Sequence, residues 1–97
     1  MKPHAFHPEA GEEYQQAAEY YAAIAPELAA RFYDEIERII VEVRRQPDRF
    51  SRFSPPARRA LARRFPYSVV YLDGPDRVWI VALMHAKRRP GYRRERL

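Results

Sequence analysis

The sequence predicts an α+β fold in the order β-α-α-β-β-β, with a helical hairpin packed on one face of a small antiparallel sheet. Three observations lead there. Two stretches with helical apolar spacing follow one another almost without a linker, each opened by a proline. Two β-rich stretches near the C-terminal end are separated by Asp73-Gly74-Pro75-Asp76, a turn sequence. The chain has 97 residues, of which 46% are apolar, enough for one packed core and one domain spanning residues 1–97.

Residues 2–7 are read as a short first strand. Pro8 then suits the first position of a helix, where its missing N–H would have no partner anyway. Glu9, Glu12 and Glu13 favour the positive end of the helix dipole. Tyr14, Ala17, Ala18, Tyr21 and Ile24 form one apolar face. Pro26 opens a second helix, and Leu28, Phe32, Ile36, Ile39, Ile40 and Val43 make a stronger stripe. Glu27, Asp34, Glu37 and Arg38 occupy its other side. Gln46-Pro47 ends this helix, because proline disfavours helix in the residue before it.

Residues 47–56 contain three prolines and are read as a loop whose Phe50 and Phe53 tuck onto the core. Residues 57–65 are ambiguous, since propensity favours helix while their position before a strand pair favours strand. Tyr67 to Leu72 alternates as a strand. Arg77 to His85 is apolar on both faces, as a central strand is. The two pair as an antiparallel hairpin, and residues 86–97 form a basic tail.

Composition excludes several classes of function. With no cysteine, there is no disulfide, no thiolate metal site and no cysteine nucleophile. Three glycines cannot build a nucleotide-binding loop. His4 and His7, three residues apart, are expected to point to opposite faces of a strand, so no metal site is expected. No secretory signal is apparent, and the longest apolar run, Val78 to Met84, is too short to span a membrane; a cytoplasmic protein is expected.

The net charge of +5 conceals a division. Residues 1–43 hold three Lys/Arg and nine Asp/Glu, a net charge of −6; residues 44–97 hold fifteen and four, a net charge of +11. Such asymmetry points to a polyanion or an acidic partner. The basic charge collects after the last strand, in His85, Lys87, Arg88, Arg89 and Tyr92, and before the Tyr67 strand, in Arg58, Arg59, Arg63 and Arg64. A histidine and a tyrosine that shuttle protons, among cations that hold phosphate, suit RNA cleavage as well as binding.

Phe6-His7-Pro8-Glu9-Ala10, Ala18-Glu19-Tyr20-Tyr21, Leu28-Ala29-Ala30-Arg31-Phe32, Arg64-Phe65-Pro66-Tyr67-Ser68-Val69-Val70-Tyr71 and Val81-Ala82-Leu83-Met84-His85 with Arg88-Arg89-Pro90-Gly91-Tyr92 follow in a fixed order. In this order and spacing the chain resembles the RelE/ParE superfamily of type II toxin–antitoxin toxins, often called plasmid stabilisation proteins. The resemblance implies a strand at residues 57–62, growth inhibition and a cognate antitoxin that forms a hetero-oligomer with the toxin. No cofactor is implied. Two targets follow from the two branches: DNA gyrase for ParE-like members, the ribosome and its mRNA for RelE-like ones. In the nuclease case His85 and Tyr92 are the catalytic candidates. Arg63, Arg64, Lys87, Arg88 and Arg89 are the target- or phosphate-binding residues. Ser68 stands where RelE-like members carry an arginine, which favours the ParE-like branch. A non-toxic nucleic-acid-binding module is the alternative of a different class.

Overall fold

The computed structural model describes residues 1–87 and residue 96. Its elements are β1 (His4–Phe6), α1 (Pro8–Ile24), α2 (Pro26–Arg45), β2 (Ser51–Arg52), β3 (Arg58–Leu61), β4 (Tyr67–Asp73) and β5 (Val78–His85). The five strands form one sheet in the order β1-β5-β4-β3-β2.

The helical hairpin forms as expected. Both helices begin on proline, and Ala25 alone, in extended conformation, separates them. The α1 cap is supplied by His7, whose Nδ1 accepts the Glu9 N–H at 3.1 Å. His7 therefore lies outside the strand that was expected to hold it. Helix α2 buries Ala29, Phe32, Ile36, Ile39, Ile40 and Val43. Helix α1 buries Ala10, Ala17, Ala18 and Tyr21, but Ile24 in its last turn is 60% exposed.

The sheet differs from the expectation in two places. Strand β1 runs parallel to β5, with His4 opposite Val78 and Phe6 opposite Ile80, while every other pairing is antiparallel. A parallel pair needs a long crossover, and the chain between β1 and β5 supplies one. Strand β2 is a two-residue addition inside the proline-rich loop, too short to leave a periodic signal in sequence. Arg58–Leu61 is a strand in spite of its helical propensity, because β4 offers it a paired edge.

Strand β5 lies between β1 and β4 and is buried on both faces. The helical face of the sheet carries Val69, Tyr71, Val78, Ile80 and Leu83 in the main core. The other face carries Val70, Val81, Ala82 and Met84, with Phe53, Leu72 and Trp79 packed against them. Val70 pairs with Ala82 and Tyr71 with Ile80, so Val81 is an extra residue, a bulge. At the β4–β5 turn a side chain on Gly74 would meet the Arg77 carbonyl oxygen at 2.8 Å, hence the glycine.

Two hydrogen bonds fasten the 47–56 loop. The Tyr71 hydroxyl donates to the Pro47 carbonyl at 2.6 Å, and Arg58 donates to the Phe50 carbonyl at 2.7 Å. Phe32, fully buried, meets the rings of Tyr14, Tyr21, Phe65 and Tyr67 with centroids 5.0 to 6.0 Å apart.

Replacing Phe32 with alanine is expected to cost about 3–5 kcal/mol of unfolding free energy, the range for a large aromatic removed from a packed core; urea unfolding measures it. Burial pushes the Tyr71 hydroxyl up to about 12. A raised folded value means that the unfolded chain releases this proton first. Stability is therefore expected to fall as pH rises from about 10 toward 12. The fall should be shallower in Tyr71→Phe than in the parent when unfolding is followed across that window.

Candidate functional site

The residues singled out by sequence gather at the end of the sheet where β3, β4 and β5 meet. Tyr67, the first residue of β4, stands opposite His85, the last of β5. The Ala86 N–H donates to the Pro66 carbonyl at 2.8 Å, so the chain leaving β5 passes beside the β3–β4 turn. That turn carries Arg63 and Arg64, both exposed. Lys87 is exposed one residue beyond Ala86. Arg88, Arg89 and Tyr92 lie outside the described residues.

Although they share one end of the fold, these residues do not line one cleft. Arg63 and Arg64 border a groove of about 550 Å³ against α2, with Leu28, Arg31 and Phe65. His85 borders a separate depression of about 220 Å³ against α1, with Glu13, Tyr20 and Tyr67. Tyr21 touches both Phe65, at 5.0 Å, and Tyr67, at 6.4 Å, which places aromatic rings between the two. His85 and the two arginines thus address different hollows.

The His85 ring stands edge-on to Tyr67, 5.1 Å between centroids. Its Nδ1 accepts the Lys87 N–H at 3.0 Å. In the neutral ring the proton therefore sits on Nε2, which leaves no unengaged ring nitrogen to accept another. A general base needs such an acceptor. His85 as placed offers a hydrogen-bond donor instead.

Ser68 is 3% exposed and points to the sheet face away from the helices. Its neighbours in register are Leu61 on β3 and Met84 on β5. No cation occupies this position in the sequence, and the buried hydroxyl supplies none.

Two further side chains escaped the sequence reading. Strand β1 pairs with β5 only as far as Ile80, which leaves the next stretch of that edge without a strand. Glu13 fills part of the gap, since its Oε1 accepts the Leu83 N–H at 3.1 Å. Arg96 fills another part by donating to the Val81 carbonyl at 3.1 Å, to Glu13 at 2.9 Å and to Glu9 at 2.7 Å. The Arg96 side chain is only 11% exposed; burial acts to lower its pKa, but the Glu13 hydrogen bond and both carboxylate charges prevail and raise it. Sequence attributed Glu13 to the helix dipole; a contact across 70 residues leaves no local signal.

In the groove, Arg38 forks onto Glu35 at 2.9 and 3.3 Å and reaches Glu42 at 3.0 Å. The Arg63 N–H donates to Glu35 at 2.7 Å. Burial acts to raise the Glu35 carboxyl, but these hydrogen bonds and the Arg38 and Arg63 charges outweigh it and hold it below its usual value. Among the described residues no group of three or more potential metal ligands occurs, and no helix is long and apolar enough to cross a membrane.

Nitrogen-15 NMR of the neutral imidazole is expected to show His85 as the Nε2–H tautomer. A dominant Nδ1–H tautomer would contradict the Lys87 contact.

Comparison with known proteins agrees with this architecture. Residues 5–90 match the model of the ParE toxin of the type II toxin–antitoxin system parDE, a span that contains His85 and Lys87 and stops short of Tyr92. Among solved structures, a chain of the chromosomal ParDE toxin–antitoxin system from P. aeruginosa superposes with a TM-score of 0.77 at 14% sequence identity, covering 90% of this chain and 98% of that one. The search of curated proteins returned no match. With most of its length matched, the chain belongs to the ParE toxin family of type II toxin–antitoxin systems.

Proposed function

We propose that this type II toxin arrests growth by binding DNA gyrase in the cytoplasm and that a cognate antitoxin silences it in a hetero-oligomer. The match to the ParE toxin over residues 5–90 carries this reading. The antitoxin is proposed from the family and from the structural likeness to a ParDE system. The basic end of the sheet, with Arg63, Arg64 and Lys87, is the proposed target-facing surface, together with Arg88 and Arg89.

Two observations support binding over RNA cleavage. His85 offers a donor and not a proton acceptor, because Lys87 occupies Nδ1. Ser68 is a buried hydroxyl where an RNA-cleaving relative would carry a cation on the phosphorane. Under this reading His85 and Tyr92 are not catalytic.

Induced expression of the chain alone is expected to stop growth, and the purified protein to inhibit gyrase supercoiling without cutting mRNA on programmed ribosomes. His85→Ala combined with Tyr92→Phe should leave growth arrest intact. Ribosome-dependent cleavage that disappears in that double variant would replace the gyrase reading with the nuclease one. Unchanged growth with soluble protein present would leave a non-toxic binding module.

A further inference from the structure

A second concentration of positive charge lies at the other end of β3 from the candidate site. Residues 44–59 contain six arginines and one acidic residue, Asp48, a net charge of +5. They run from the last turn of α2, through the proline-rich loop and β2, to the start of β3. None of them belongs to the target-facing surface proposed above.

The β2–β3 register sets two of these charges against each other. Arg52 stands directly opposite Arg58. Opposed residues on antiparallel strands leave the same face with Cβ atoms about 5 Å apart, and like charges there are destabilising. Asp48 makes no ion pair among the described residues, so neither guanidinium receives a carboxylate. Arg58 is anchored by one N–H given to the Phe50 carbonyl at 2.7 Å, and a guanidinium carries five. Arg52 is exposed and makes no hydrogen bond, ion pair or ring contact among the described residues. The two border a hollow of about 420 Å³ with Pro55 and Pro56. The prolines bring no N–H of their own, so the arginines are its donors. Arg49, also exposed, lies over the ring of the same Phe50 at 5.2 Å. Stacking occupies the face of a guanidinium and leaves its edge N–H groups for an acceptor.

We infer that Arg49, Arg52 and Arg58 form a phosphate site for the backbone of a nucleic-acid duplex. A phosphate seated between Arg52 and Arg58 turns their repulsion into two attractions, and arginine grips phosphate bidentately. A protein partner fits less well, because it needs an apolar anchor. The exposed large apolar side chains, Met1, Tyr20, Ile24, Tyr33 and Leu61, all lie outside residues 44–59. A single strand fits less well too, since it needs open rings on which bases stack. Phe50 and Phe53 are half-buried, with Arg49 and Arg59 over their rings. Defence of the sheet edge does not account for the pair either, because a strand of two residues offers few backbone groups to a neighbour.

The test measures fluorescence anisotropy of a labelled DNA duplex with the purified full chain across a salt series. Single-stranded DNA of the same sequence, polyglutamate and inorganic phosphate serve as competitors, and the unlabelled duplex is expected to displace the probe best. Arg49→Gln with Arg52→Gln should weaken duplex binding about tenfold and flatten the salt dependence by about two phosphate contacts, each worth a slope of about 0.9. Arg31→Gln with Arg77→Gln removes the same charge from exposed positions elsewhere and should leave the slope unchanged. Arg52→Gln alone should keep or raise the melting temperature, since it relieves the opposed pair. A fall would give Arg52 a structural role and overturn the inference. So would an unchanged slope in the first pair, an equal change in the control pair, or competition by single strand, polyglutamate or phosphate equal to that of the duplex. The assay requires neither gyrase, antitoxin nor growth arrest, so a failed toxin reading and a failed phosphate site give different results.

Discussion

The cluster of rings around Phe32 is the contact on which the rest of the molecule depends. It joins α1 through Tyr14 and Tyr21, the β3–β4 turn through Phe65 and β4 through Tyr67. Edge-to-face pairs of this kind add directional preference to burial. The helical hairpin is thereby fixed in height and rotation over the basic end of the sheet. Both hollows at that end take walls from this cluster, Phe65 in one and Tyr67 in the other. The candidate site in this chain is therefore built on the core at one remove, through side chains that serve packing and surface together.

Charge is distributed in keeping with that arrangement. The acidic helices meet some of the basic half internally, as in Glu35 with the Arg63 N–H and Glu13 with Arg96. These contacts engage carboxylates at the seam, and Arg63 and Arg64 stay exposed beside it. A surface with unneutralised guanidiniums is a surface prepared for association. The imbalance seen in the bare sequence is thus partly settled within the fold, and among the described residues Arg31, Arg63 and Arg64 gather around the groove between α2 and the β3–β4 turn.

Much of the architecture was legible in the residues. Pro8 and Pro26 marked both helix starts, and the Phe32–Ile36–Ile39–Val43 stripe marked the buried face of α2. Asp73 to Asp76 marked the turn between the two longest strands. What escaped were properties of pairing. Arg58–Leu61 has helical residues and becomes a strand because β4 lies alongside; only the family resemblance disclosed it. Nothing in His4–Phe6 says that its partner is Val78–Ile80 in parallel. The site suffered similarly. Arg63, Arg64 and His85 read as one basic constellation, yet Tyr21, 40 or more residues away in sequence, stands between their hollows.

The extra residue in β5 has a consequence for how relatives of this chain are matched to it. Before Val81 the even positions Val78 and Ile80 face the helices; after it the odd positions Leu83 and His85 do. The bulge therefore acts as a change of reading frame within a single strand. In a relative whose strand lacks it, an ungapped alignment would set His85 against a residue from the opposite side of the sheet. At 14% identity, where few residues anchor the match, that error would pass unnoticed in sequence. Roles at the end of β5 are best transferred by face and not by position.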